Sequence, residues 1–159
     1  MPKKSNSKQK ISLDNFKVPE YQEIVKEITK KIGKRPKRPK HLPQGNWSSQ
    51  ALRVLSERYL VKDDKGKIIE TPEDMCYRVA WEIASAEARW GATRKEVKKR
   101  AEDYYNLLVS RKFLPNSPTL MNAGTGNLLQ YSACYVLPVP DSIDGIFDAL
   151  KYQALIHKS

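Results

Sequence analysis

Residues 71–112 read TPEDMCYRVAWEIASAEARWGATRKEVKKRAEDYYNLLVSRK, and this stretch decides the fold class. It carries two helix starts in succession. Thr71 can cap the first helix with its hydroxyl, Pro72 sits where a missing N–H costs nothing, and Glu73 and Asp74 lie at the positive end of the dipole. Met75, Val79, Ile83 and Ala86 recur at helical spacing and form the expected buried stripe. Cys76 falls on the exposed or half-buried side of that stripe. Gly91 suits a left-handed stop, and Thr93 with Glu96 has the spacing of a capping box for a second helix running to about Lys112. Its inward face is expected to be Val97, Ala101, Tyr104, Tyr105 and Leu108.

Towards the N-terminus, Ser48 or Ser49 can open another helix with Leu52, Leu55, Tyr59 and Leu60 at helical spacing, closed by a turn at Asp63-Asp64-Lys65-Gly66. Three packed helices are therefore expected over residues 46–112. Residues 1–45 differ in kind. They hold 13 of the 29 basic residues and four of the 18 acids, so most of the net charge of +11 belongs to them. With Pro36, Pro39 and Pro43 they read as a mobile, protease-labile basic arm containing one short helix, Tyr21 to Ile32. Because the remainder is nearly neutral, a basic nucleic-acid-binding fold is not expected.

Towards the C-terminus, residues 113–126 contain two prolines and two glycines and read as an extended segment followed by a loop. Tyr131 to Leu137 is a strand candidate without charge, and a last helix is expected from Asp141 or Ser142, presenting Ile143, Ile146, Phe147, Leu150 and Leu155. A buried strand needs strand neighbours, so this one is expected to belong to a larger protein. No apolar run nears the roughly 18 residues of a membrane helix, and the first residues lack the apolar stretch of a secretion signal, so a cytoplasmic protein with reduced Cys76 and Cys134 is expected. His41, Cys76, Cys134 and His157 offer no ligand pair at usable local spacing, so no metal site is expected.

The runs Arg111 to Met121 (RKFLPNSPTLM), Asn122-Ala123-Gly124 and Leu129 to Asp144 (LQYSACYVLPVPDSID) resemble the opening of the catalytic barrel of ribonucleotide reductase, most of all its adenosylcobalamin-dependent form. The upstream elements Ala51-Leu52, Val54-Leu55, Arg58-Tyr59-Leu60, Arg78-Val79-Ala80 and Ala86-Glu87 resemble that form's N-terminal helical region. The resemblance implies a mainly α region over 46–112 that leads, over 113–159, into the first strand and helix of a ten-stranded α/β barrel, incomplete in this chain. It implies that Ser117, Ala133 and Cys134 contact a ribonucleoside diphosphate, and that Cys134 is catalytic as one member of a redox-active cysteine pair. Adenosylcobalamin is the implied cofactor. The implied partners are the remainder of the reductase chain, a thioredoxin-like or other dithiol reductant, and a second copy in a homodimer. The second reducing cysteine, the thiyl-forming cysteine and a glutamate-bearing loop have no counterpart here, so the 159-residue chain alone is expected to be inactive. The alternative reading is a non-catalytic helical binding or regulatory module with a basic arm.

Overall fold

The computed structural model describes residues 21–126 and 130–158, the side chain of Tyr21 excepted. The first 20 residues of the expected arm and Leu129 of the barrel-like run lie outside the described residues. The helices are α1 (Tyr21–Ile32), α2 (Ser49–Arg58), α3 (Pro72–Ser85), α4 (Arg94–Val109), α5 (Ser117–Asn122) and α6 (Ile143–Lys158), with a 3₁₀ turn at Ala86–Trp90. The caps work as their residue types dictate. Thr71 Oγ1 accepts from the Asp74 amide at 3.1 Å, Ser48 Oγ from the Ala51 amide at 3.1 Å, and Thr93 with Glu96 forms both halves of a capping box. Gly91 ends the 3₁₀ turn at φ +95°.

Helix α3 is the centre of the fold. It packs lengthwise on α4 and also touches α5 and the 3₁₀ turn. Met75, Cys76, Val79, Ala80 and Ala84 are buried, and so are Tyr77, Arg78 and Trp81 on other sides of the same helix. From α4, Val97, Ala101, Tyr105, Leu108 and Val109 meet them, while Tyr104 is only half-buried. The expected stripe is therefore corrected: Ile83 is 40% exposed and Cys76 is 2% exposed, because α3 is covered on several sides and a one-sided template misassigns its faces. Helix α2 buries no residue, and Leu52 and Val54 are exposed, so it sits at the periphery rather than as a third equal helix.

The described part of the arm is not detached. Ile32 and Leu42 enter the core. Arg94 donates to the carbonyls of Ile32 and Lys34 while its guanidinium stacks over Trp81. Tyr105 Oη donates to Pro43 O at 2.6 Å, and Glu73 Oε1 accepts from the Gly45 amide and from Trp47 Nε1 at 3.0 and 2.8 Å. The expectation of a free arm fails over residues 32–45 because its acceptors are main-chain carbonyls, which every sequence possesses and no residue pattern advertises.

Two further corrections concern the C-terminal third. The segment expected to be extended contains α5: Asn116 caps it through the Thr119 amide at 3.2 Å, and Pro118 lies in the first turn, where proline is tolerated. Residues 131–137 form no strand. Val136 is 97% exposed, and among the described residues no strand lies beside it to take up the ladder hydrogen bonds. Ile143, Ile146, Phe147, Leu150 and Leu155 of α6 stand exposed along with it. No helix among the described residues is long and apolar enough to cross a membrane.

Candidate functional site

Ser117 is the first residue of α5, held there by the Asn116 cap, and it is exposed. Its Oγ lies 2.8 Å from Tyr59 Oη, so the end of α2 and the start of α5 meet at two hydroxyls, either of which can donate. The chain beyond the loop is fastened to the same short helix. Thr119 Oγ1 donates to Tyr131 O at 2.8 Å and Asn122 Nδ2 to Gln130 O at 2.7 Å, while Tyr131 Oη donates to Glu82 Oε1 on α3 at 2.8 Å. These three bonds bring Ala133 and Cys134 against Pro118 and Asn122 on one open groove of about 700 Å³, whose far wall includes His157. Ala133 and Cys134 are exposed. Two of the three sequence-predicted residues, Ala133 and Cys134, thus share one groove with Pro118 and Asn122, while Ser117 opens α5 without lining that groove.

Beneath α5 a buried ion pair sets its position. Arg78, 2% exposed, donates from Nε to Glu70 Oε1 at 2.8 Å and from Nη2 to Glu70 Oε2 at 3.0 Å. Its other donors reach Leu120 O at 3.3 Å and Ala123 O, the carbonyls that α5 leaves unpaired at its C-terminal end. Glu70 in turn accepts from the Val61 amide at 3.2 Å, across a small hairpin in which Lys62 pairs with Ile68 and Gly66 turns at φ +76°. Gly124 follows α5 at φ +71°, where a Cβ would lie 2.8 Å from Arg78 Cγ and 2.9 Å from Arg35 Nη1. Only glycine fits there.

Sequence reasoning missed Arg78, Glu70, Tyr59, Thr119 and Asn122 as positioning residues. One signal was present: Arg78 interrupts the charge-free run Met75 to Trp81, and a charge inside such a run needs a buried partner.

The two cysteines are chemically opposite. Cys134 is exposed, whereas burial first, then the nearby Glu73 and Glu70 carboxylates, push the Cys76 thiol from its ordinary 9.0 up to about 12. At pH 8 Cys76 then holds roughly a thousandfold less thiolate than an ordinary thiol. Iodoacetamide at pH 8 is expected to label Cys134 and leave Cys76 unlabelled until the chain unfolds, as mass spectrometry of the digested chain would report. Equal labelling of both in the folded chain would contradict the burial. The same shift has a defined sign for stability: the contribution of the protonated buried thiol is complete below pH 9, where the unfolded thiol begins to ionise, and is lost as pH rises towards about 12.

A family model described as "Ribonucleotide reductase, all-alpha domain" matches residues 46–127. A vitamin B12-dependent ribonucleoside-diphosphate reductase of Thermoplasma acidophilum is 39% identical over 162 residues, a match spanning 69% of this chain and 21% of that protein. A protein of the same name from Mycobacterium tuberculosis is 40% identical over 114 residues, covering 70% of this chain and 16% of its own length. The ribonucleoside-diphosphate reductase large subunit of Danio rerio is 43% identical over 109 residues, 68% of this chain and 12% of the relative. The chain therefore corresponds to about a fifth or less of these relatives.

Proposed function

Since the chain belongs to the ribonucleotide reductase family through its all-alpha domain, we propose that it forms the N-terminal part of an enzyme converting ribonucleoside diphosphates to deoxyribonucleoside diphosphates. The observation that carries this reading is that the Thr119–Tyr131 and Asn122–Gln130 hydrogen bonds hold Ala133 and Cys134 in one groove with Pro118 and Asn122 of α5, the helix that Ser117 opens. Residues 113–159 are read as the entry to the α/β barrel, in which 131–137 gain the strand neighbours they lack here.

Within that reading Ser117 Oγ exchanges its Tyr59 partner for the bound nucleotide, a swap between hydrogen bonds of similar strength. Cys134 supplies one thiol. Removing the 2′-hydroxyl as water takes two electrons and two protons, which two thiols deliver by closing a disulfide, so the second cysteine comes from the rest of the enzyme. An external dithiol then restores the pair. The relatives are named vitamin B12-dependent, and adenosylcobalamin, the form of that vitamin with a cleavable cobalt–carbon bond, would supply the initiating radical by homolysis. The described residues act on the nucleotide. Their part is to orient the nucleotide and hold one reducing thiol at the groove.

The test is made on the complete reductase carrying this segment, supplied with adenosylcobalamin and a dithiol and with no second protein subunit. Deoxyribonucleoside diphosphate is the expected product. Ser117→Ala should raise the KM about tenfold, the worth of one hydrogen bond to a charged or polar ligand, with a smaller change in kcat. A requirement for a separate radical-generating subunit would overturn the cofactor assignment, and an unchanged KM would remove Ser117 from the site.

A further inference from the structure

On the side of α3 that carries Arg78, residues 35–38 cross the protein and leave an open groove of about 610 Å³ between themselves, α3 and the Gly124 turn. Four cations line it, Arg35, Lys37, Arg38 and Arg78, against two carboxylates, Glu70 and Asp74. Both carboxylates are already engaged. Arg78 grips Glu70 through two hydrogen bonds, and Asp74 pairs with Arg38 at 3.2 Å and accepts from Thr71 Oγ1 at 2.8 Å. Among the described residues Arg35 donates one hydrogen bond, to Gly124 O at 3.1 Å, and it feels the Glu70 and Glu82 carboxylates electrostatically. The groove thus keeps an excess of positive charge, and Arg35 retains guanidinium donors that no hydrogen bond among the described residues uses.

A second observation comes from underneath. Tyr77 also lines this groove, is 2% exposed, and has a hydroxyl without a hydrogen-bond partner among the described residues. A buried phenol normally finds a partner, and leaving it without one costs about 1–3 kcal/mol. Burial holds the Tyr77 phenol well above its ordinary value, so it remains a donor. Loss of hydration, and then repulsion from Arg78, lowers the Arg35 guanidinium from its ordinary value, a repulsion that a bound anion would relieve.

We propose that this groove binds a phosphate-bearing small molecule, with Arg35 and Lys37 on the phosphate oxygens and the Tyr77 hydroxyl as the inner donor. Guanidinium forks match phosphate geometry, and the lining apolar residues Val61 and Ile69, the latter 63% exposed, offer a surface for an organic moiety beside it. The proposal does not depend on the roles given to Ser117 and Cys134.

The experiment is thermal unfolding of the 159-residue chain with sodium pyrophosphate, ADP, adenosine, or potassium chloride at matched ionic strength. Pyrophosphate and ADP are expected to raise Tm by a few degrees at saturation, and adenosine and chloride to leave it unchanged. A larger response to ADP than to pyrophosphate identifies a nucleotide as the source, and equal responses identify the phosphate alone; either supports the site. Tyr77→Phe should leave the unliganded Tm at or above wild type yet weaken pyrophosphate binding about tenfold. Arg35→Gln should weaken it at least as much, while Lys95→Gln on exposed α4 should not. A chloride response equal to that of pyrophosphate, a Tyr77→Phe variant that binds like wild type, or one that loses several degrees without ligand overturns the proposal.

Discussion

Arg78→Met is expected to lower the unfolding free energy by about 3–5 kcal/mol, because it strands a buried carboxylate without the guanidinium that forms both of its charged hydrogen bonds. The Glu70 side chain is only 9% exposed and both its oxygens face Arg78, so the orphaned charge cannot recover its hydration without tearing the hairpin from α3. The same substitution leaves Leu120 O and Ala123 O without their donor, so α5 should loosen along with the fold. Pairing it with Glu70→Gln should recover a large part of the loss, since a neutral amide is cheaper to bury than a lone charge. Urea titration of wild type, each single variant and the double variant measures this directly. A single-variant loss under about 1 kcal/mol would mean that the pair is solvated and that α5 is held by something else.

Cys134→Ser in the complete reductase should bring multiple turnover down to background while nucleotide binding survives, because a serine at that position cannot close the disulfide that carries the electrons. Cys76→Ser should retain turnover. It is nevertheless not silent, since a hydroxyl would replace a thiol at a position 2% exposed, and a cost of about 1–3 kcal/mol in stability is expected. The two variants therefore separate along different axes: one loses chemistry and keeps stability, the other the reverse. Deoxyribonucleotide yield per enzyme, read with a dithiol present and beside a melting curve for each variant, makes the comparison. Near-normal turnover by Cys134→Ser, or a dead but stable Cys76→Ser, would refute the assignment.

How far the sequence was legible depended on whether a signal was local. The starts of α2, α3 and α4 were readable because a cap is a contact between residues three apart, and α1 appears over the expected Tyr21–Ile32. Helix α5 was misread because Pro118 was weighed as a breaker, although in a first turn it breaks nothing. The strand at 131–137 failed for the opposite reason: a strand is a relation between segments, and among the described residues no segment pairs with it. Cys76 was placed by a one-sided helical template on a helix covered on several sides. At the candidate site, the resemblance to ribonucleotide reductase pointed to Ser117, Ala133 and Cys134, but the groove that holds Ala133 and Cys134 depends on Thr119, Asn122 and the Arg78–Glu70 pair, contacts made over distances that no periodicity reports.

The docked segment 31–45 also imposes an order in time. Helices α3 and α4 follow one another closely along the chain, so their pairing closes only a short loop and can form early. The bonds from Lys31 to Ala88, from Arg94 to Ile32 and from Tyr105 to Pro43 instead span 57, 62 and 62 positions. Each needs α3 and α4 already assembled as a template, since the acceptors and donors they use are brought to one surface only by that pairing. The helical pair is therefore expected to form first and the segment to close over it last, so that on a chain emerging from the ribosome residues 31–45 await the synthesis of Tyr105.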